Sequence, residues 1–173
     1  MEQALREYDP KWRDAFEQER MRLLSRLSGV AREILHVGST AIPGMPGKGI
    51  IDILMVVDSL DPQDAYAVPL LDLGYISRPV PERPESPFFT RPAVKPRSHN
   101  LHVAIAGSKR VKSLLAFRDY LRADPAAAQR YAEAKRGLAR GNRIDLEAYS
   151  GGKAAVAAAL EQEAVAWAGA RDG

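Results

Sequence analysis

The residues with chemistry to offer lie close together in the chain. Gly38-Ser39-Thr40 opens a loop that runs to Gly49 and holds four glycines, two prolines and two hydroxyls. Small residues let backbone N–H groups approach a phosphate, and hydroxyls and a cation add to such a cradle. Ser39, Thr40 and Lys48 supply those groups. The loop has no Gly-Lys-Ser/Thr and no G-x-G-x-x-G, so it is neither a Walker loop nor a dinucleotide fingerprint. By itself it reads equally as a turn-rich crossover.

Asp52 sharpens the picture. It sits in Ile50-Ile51-Asp52-Ile53-Leu54-Met55-Val56-Val57. A carboxylate in an apolar central strand is costly unless paired, protonated or metal-bound. The alternatives are a structural ion pair and a functional acid. The loop directly upstream favours the functional one.

All three histidines, His36, His99 and His102, stand beside these segments. Histidine with carboxylate suits Zn²⁺, Mn²⁺, Fe or Ni, whereas Mg²⁺ prefers oxygen ligands. Asp52, His102, His36 and His99 are therefore the candidate metal set. Each histidine also reads as a hydrogen-bonded structural residue, and His99 and His102 would face opposite sides of one regular strand. Arg97, Arg118, Lys135, Tyr149 and Lys153 are candidates to hold an anion from the helical side, with a solvated helix face as the alternative for each.

These residues need elements to position them. Asp9-Pro10 predicts a helix start, with Trp12, Phe16, Leu23 and Leu27 on one face, interrupted at Arg20. Residues 33–37 predict a first strand and 50–57 a central one. Asp61-Pro62 opens a second helix that ends near Gly74. Residues 75–80 predict a third strand. Residues 79–97 hold six prolines, an extended segment with a short strand at 88–90 that reads as a functional flap or a passive edge loop. Residues 100–106 predict a strand, and three helices follow: one marked by Leu114, Phe117 and Leu121, one opened by Asp124-Pro125, and a last one carrying Val156, Leu160, Ala164 and Trp167.

Composition bounds the class. The chain has 173 residues, 46% of them hydrophobic and 27% charged, with no cysteine. It is expected to form one domain, residues 1–173, of α/β (α+β) class. Disulfide frameworks, cysteine zinc sites and a thiol nucleophile are excluded. No signal-like leader or membrane-length apolar run is visible, so a cytoplasmic protein is expected. The net charge of +3 suits an anionic small ligand, while the mixing of Arg with Asp and Glu does not suit an extended nucleic-acid surface. Oligomeric state is not legible.

Gly38-Ser39 followed by a strand bearing an acid thirteen positions after Ser39 resembles the nucleotidyltransferase fold of the DNA-polymerase-beta superfamily. A fuller ordered set resembles the GrpB family: His-Val-Gly-Ser-Thr-Ala-Ile-Pro-Gly (36–44), Lys48, Ile-Ile-Asp-Ile (50–53), His-Asn-Leu-His-Val (99–103), Phe-Arg-Asp-Tyr-Leu-Arg (117–122), Tyr131 with Lys135, and Tyr149 with Lys153. The resemblance implies a nucleotidyltransferase-like mixed sheet flanked by helices, with a helical C-terminal third packed on it. It also implies a domain that occurs fused to dephospho-coenzyme A kinase.

The superfamily commonly sets two acids at alternate positions of this strand, to hold two Mg²⁺ ions. Here the partner position is Leu54, and Asp58 is roughly 20 Å along the strand. The resemblance thus implies a modified site: catalytic Asp52, a divalent metal (Mg, Mn or Zn), and a phosphate-binding set of Gly38, Ser39, Thr40, Lys48, Arg97, Arg118, Tyr149 and Lys153. Three functions follow as expectations: metal-dependent nucleotidyl or phosphoryl transfer, a non-catalytic nucleotide- or coenzyme A-type binding module, and a metal-dependent hydrolase of small phosphorylated compounds. On the first, Leu54→Asp is expected to restore Mg²⁺-dependent activity.

Overall fold

The structure, a computed structural model, describes residues 4–92, 96–140 and 146–171, without the side chains of 140 and 146–154. Helix α1 (Lys11–Leu27) leads into β1 (Ala31–Val37), a 3-10 turn (Ser39–Ala41) and β2 (Ile51–Val57). Then come α2 (Asp64–Asp72), β3 (Ile76–Ser77), β4 (Phe88–Arg91) and β5 (His99–Ile105). Three helices close the chain: α3 (Lys109–Ala123), α4 (Pro125–Arg140) and α5 (Leu146–Arg171).

The strands form one mixed sheet in the order β1-β2-β5-β4-β3. Only β2 and β5 are parallel; the other pairs are antiparallel. This is the expected α+β architecture. It also explains why β2 is apolar on both faces: β1 and β5 flank it, and each face has a helical cover.

The period of two along the strands sorts the core. Ile34, Ile51, Ile53, Met55, Val57, Leu101 and Val103 face α1 and α2, where Trp12, Phe16, Leu23, Leu27, Tyr66 and Leu70 pack on them. Val37, Leu54, Val56 and Ala104 face α3 through Val111, Leu114 and Leu115. A third cluster joins α3, α4 and α5, and Ile42 and Met45 of the 38–49 loop are buried in it. The loop is thereby anchored at both ends of its middle segment.

Two devices differ from expectation in detail. The interruption of the α1 face is Glu19, which is 4% exposed, and not Arg20. Glu19 is tolerated because Tyr75 donates to it at 2.9 Å and Arg91 and Arg22 lie at 3.0 and 3.2 Å. The expected strand at 75–80 shrinks to Ile76–Ser77, since β3 is the sheet edge and pairs only with β4 at Thr90 and Phe89. The predicted end of α4 near Gly141-Asn142 lies outside the described residues.

Candidate functional site

Register builds the site. Asp52 of β2 stands opposite Val37 of β1 and Asn100 of β5, and Asn100 stands opposite Thr90 of β4. A polar row, Asp52–Asn100–Thr90, therefore crosses three strands on the α3 side of the sheet. Asn100 Nδ2 donates to Asp52 Oδ1 at 2.8 Å, and Arg78 Nε donates to Thr90 Oγ1 at 3.3 Å. With its nitrogen held by the carboxylate, the Asn100 amide turns its oxygen away. That Oδ1 is buried and has no hydrogen-bond partner among the described residues. A buried acceptor left open is uncommon and points to a missing cation or donor.

Asp52 and Asn100 are half-buried, whereas Leu54 is fully buried. The position where a second metal-binding acid is expected is thus core, beneath α3 with Val37, Val56 and Val111. This corrects the expectation for Leu54→Asp: a carboxylate there would be desolvated at a cost of several kcal/mol, so the substitution would disrupt packing before it restored chemistry. Asp58 is remote, as expected, and pairs with Arg32 at 3.0 Å.

The 38–49 loop is fitted to Asp52. Gly38 has φ +73°, and a Cβ on it would lie 2.5 Å from Asp52 Oδ2. Glycine is required twice over, by backbone conformation and by contact. Lys135 of α4, 5% exposed, braces the loop by donating to Ser39 Oγ at 2.6 Å and to the Pro46 carbonyl. Ser39 accepts that bond and so keeps its own O–H as a donor. Arg118 donates to the His36 carbonyl at 3.2 Å and Arg122 to the Ala41 carbonyl at 2.8 Å. Lys135→Met should preserve volume while removing a charged donor. The expected result is faster hydrogen exchange at residues 39–41 and a stability loss of about 1.5–3 kcal/mol in urea unfolding. Unchanged exchange would show that the loop holds itself.

The candidate metal set does not come together. His36 and His99 lie on the α1 side of the sheet, opposite to Asp52, because they alternate with Val37 and Asn100. His36 stacks on Phe16 with ring centroids 4.6 Å apart and hydrogen-bonds Thr40 Oγ1 at 2.9 Å. This turns the Thr40 hydroxyl inward, away from any phosphate. His99 Nδ1 bonds Ser98 at 2.8 Å and Arg91 at 3.0 Å, joining the Glu19 network. His102 shares the Asp52 face, but it stands opposite Leu54, two residues or about 7 Å along the strand from Asn100. It packs against Phe88 instead. Among the described residues no cluster of three His, Asp, Glu or Cys could hold a metal. The donor that fits a divalent cation is the Asp52 carboxylate, which Asn100 steadies through its Nδ2. A single carboxylate matches Mg²⁺ or Mn²⁺, which use one or two carboxylates plus substrate phosphates.

Burial holds the three histidines neutral. His36 and His99 are each lowered to about 4, in both by burial first, with Arg122 and Arg118 adding to the former and Arg91 to the latter. His102 is lowered to about 3 by burial, Arg110 and Arg83. In the unfolded chain they titrate near 6.5, so between pH 6.5 and 4 the unfolded state binds more protons and stability rises with pH. Urea unfolding at pH 7.5, 6 and 5 should show stability falling on acidification below 6.5, by at least about 1.4 kcal/mol per unit, the slope of one such histidine. A flat profile would contradict these environments.

The other expected residues are placed as follows. Lys48 is half-buried near the end of the loop. Arg97 precedes β5 by two residues, at the end of the sheet where Asp52 lies, since Ile51 pairs with His99. Arg118 braces the loop from behind and bonds Asp119 at 2.7 Å. Tyr149 and Lys153 fall in α5, and their side chains lie outside the described residues. Asn100, Thr90 and Arg78 were not singled out from sequence. Only the parallel β2–β5 register reveals them, although the alternation of Asn100 with Leu101 was legible.

With this geometry in place, comparison with known proteins is informative. A UPF0157 protein of Halalkalibacterium halodurans is 36% identical over 88% of this chain and 77% of its own length. A dephospho-CoA kinase of Mycolicibacterium paratuberculosis is 29% identical over 82% of this chain, which spans 40% of that protein. The crystal structure of GrpB from Enterococcus faecalis superposes with a TM-score of 0.84 at 29% identity, covering 93% of this chain and 96% of that one. Cid1 poly(U) polymerase with Mg 3'-dATP bound has a TM-score of 0.55 at 16% identity, covering 86% of this chain and 49% of that one, a likeness of fold. No helix among the described residues is long and apolar enough to cross a membrane. The family model described as GrpB protein matches residues 2–163, and the chain belongs to the GrpB family.

Proposed function

We propose that this protein binds a nucleotide or comparable phosphorylated ligand together with one divalent cation, at Asp52, Asn100 and the 38–49 loop. The observation that carries this reading is the Asp52–Asn100 pair, with its open buried Asn100 Oδ1, set against a glycine that admits no side chain. Asp52 would hold the cation, with Asn100 Nδ2 steadying its carboxylate. Ser39 O–H, Lys48 and Arg97 would contact phosphate oxygens, and loop N–H groups would add to them. Gly38 keeps the backbone close to both. Tyr149 and Lys153 join this set on the family motif alone. A bound cation supplies charge neutralisation and polarisation of a phosphoryl oxygen. The nucleotide class is supported by the likeness of fold to Cid1, and a coenzyme A-type ligand by the dephospho-CoA kinase relative.

One observation separates binding from fast transfer. Leu54 is core, so the site has room for one acidic ligand on β2 where two-ion transfer uses two. We therefore assign ligand binding as the function and place rapid two-metal nucleotidyl transfer and phosphate-ester hydrolysis behind it.

The test is thermal melting of metal-stripped protein with ATP, CTP, GTP or coenzyme A, each with no metal, Mg²⁺, Mn²⁺ or Zn²⁺. A ligand at 100 times its dissociation constant adds about 2.7 kcal/mol, equivalent to about 5–10 °C for a chain of this size. The expected result is a shift that needs ligand and Mg²⁺ or Mn²⁺ together. A shift with Zn²⁺ alone, or none across the panel, would overturn the reading.

A further inference from the structure

The Pro-rich segment between β3 and β4 borders a small, half-open cavity that the Asp52 site does not use. Val80, Arg83, Ser86, Phe88 and His102 line it, and its volume is about 70 Å³. One water needs roughly 10–15 Å³ of such volume, so the cavity admits a small polyatomic group. The segment is built to shape it. Arg83 N donates to the Val80 carbonyl and Ser86 N to the Arg83 carbonyl, two consecutive turns that bring residues 80, 83 and 86 to one side. Phe88 and His102 pair across β4 and β5 as its floor.

Three features in and around this cavity ask for an oxyanion. First, Ser86 is 4% exposed, and its Oγ is buried without a hydrogen-bond partner among the described residues. Second, Arg110, which lies outside the lining, has a buried Nε without a hydrogen-bond partner among the described residues. It stands in the first turn of α3, where the helix dipole disfavours a cation. Third, Arg83 itself lines the cavity beside His102, and Arg110 adds positive charge from outside the lining. Glu85 and Glu161 also act on Arg110 and offset part of this charge without bonding it. Native proteins seldom leave a buried polar group unsatisfied, and the Ser86 hydroxyl in the wall of this cavity marks an absent partner. Guanidinium suits the fork geometry of phosphate and carboxylate.

We propose that this cavity is a second anion site, in which Ser86 and Arg83 receive one phosphate- or carboxylate-sized oxyanion beside the Pro-rich segment, independently of any metal at Asp52. His102 then has a place in this protein as the neutral floor of that cavity and not as a metal ligand.

The test is titration of the full chain with inorganic phosphate, and separately with acetate, at constant ionic strength, followed by amide ¹H–¹⁵N spectra. Saturable shifts at Arg83, Ser86, Phe88 and His102 are expected, and the stronger of the two anions identifies the class. Arg83→Gln should weaken the titration by about tenfold or more, which is 1.4 kcal/mol per factor of ten. Ser86→Ala should weaken it less, and the remaining resonances of each variant report that it is folded. Asp52→Asn should leave the titration intact even if it abolishes nucleotide binding, so failure of the two proposals is distinguishable. Shifts that stay linear with both anions, or that fall only in the 38–49 loop, would overturn the proposal.

Discussion

Gly38→Ala should abolish ligand binding at the Asp52 site and destabilise the fold. The backbone there, φ +73° and ψ −171°, lies in a region that is essentially glycine-only and costs a side-chain-bearing residue about 1–3 kcal/mol. The new methyl would also meet Asp52 Oδ2 at 2.5 Å and Asp52 Cβ at 2.9 Å. Neither neighbour can yield cheaply, because Asp52 is held in β2 and tied to Asn100. The carboxylate must turn, which breaks that bond. Urea unfolding checks the first effect, and calorimetric titration with Mg²⁺ and nucleotide checks the second. A variant that kept wild-type affinity would show that the contact between loop and carboxylate has no part in binding.

Glu19→Ala should cost about 3–5 kcal/mol of stability. Glu19 is the only acid that Arg91, Arg22 and Tyr75 are seen to share among the described residues. Removing it strands the guanidinium of Arg91, whose side chain is 25% exposed, beside His99 and the Tyr75 ring. The control is Glu17→Ala. Glu17 faces solvent two residues earlier and sits 3.7 Å from Arg20 in an exposed pair, so its loss should change stability by less than about 1 kcal/mol. Chemical denaturation of both variants, with unchanged m, separates them. Equal losses would mean that the Glu19 network contributes no more than a surface ion pair.

The elements were legible because their signals are local. Asp9-Pro10 and Asp124-Pro125 mark helix starts by capping chemistry: Asp9 Oδ1 accepts from Lys11 N and Asp124 Oδ1 from Ala126 N and Ala127 N. The run at 50–57 declares a strand buried on both faces. The Gly-Ser loop and Asp52 were legible as a site because a carboxylate in such a strand needs a reason. Asn100 was harder to see, since its meaning depends on which residue of β5 lies beside Asp52. That register comes from tertiary pairing, and a shift of two residues would have put His102 there. His36 shows the same limit from the other side. Its neighbours in sequence are site residues, yet strand alternation sends its ring to Phe16 and the α1 core. Leu54 reads in sequence as a lost metal ligand, and the α3 cover explains the loss: the position has become core.

The most direct test of the central claim is paramagnetic. Mn²⁺ is added to the protein with a non-hydrolysable nucleotide, and amide and side-chain ¹H–¹⁵N signals are followed. The account predicts that broadening centres on the Asn100 side-chain amide, Gly38 and Asp52, that it requires the nucleotide, and that it disappears in Asp52→Asn. Broadening centred on His36 or His99, or unchanged in Asp52→Asn, would contradict it.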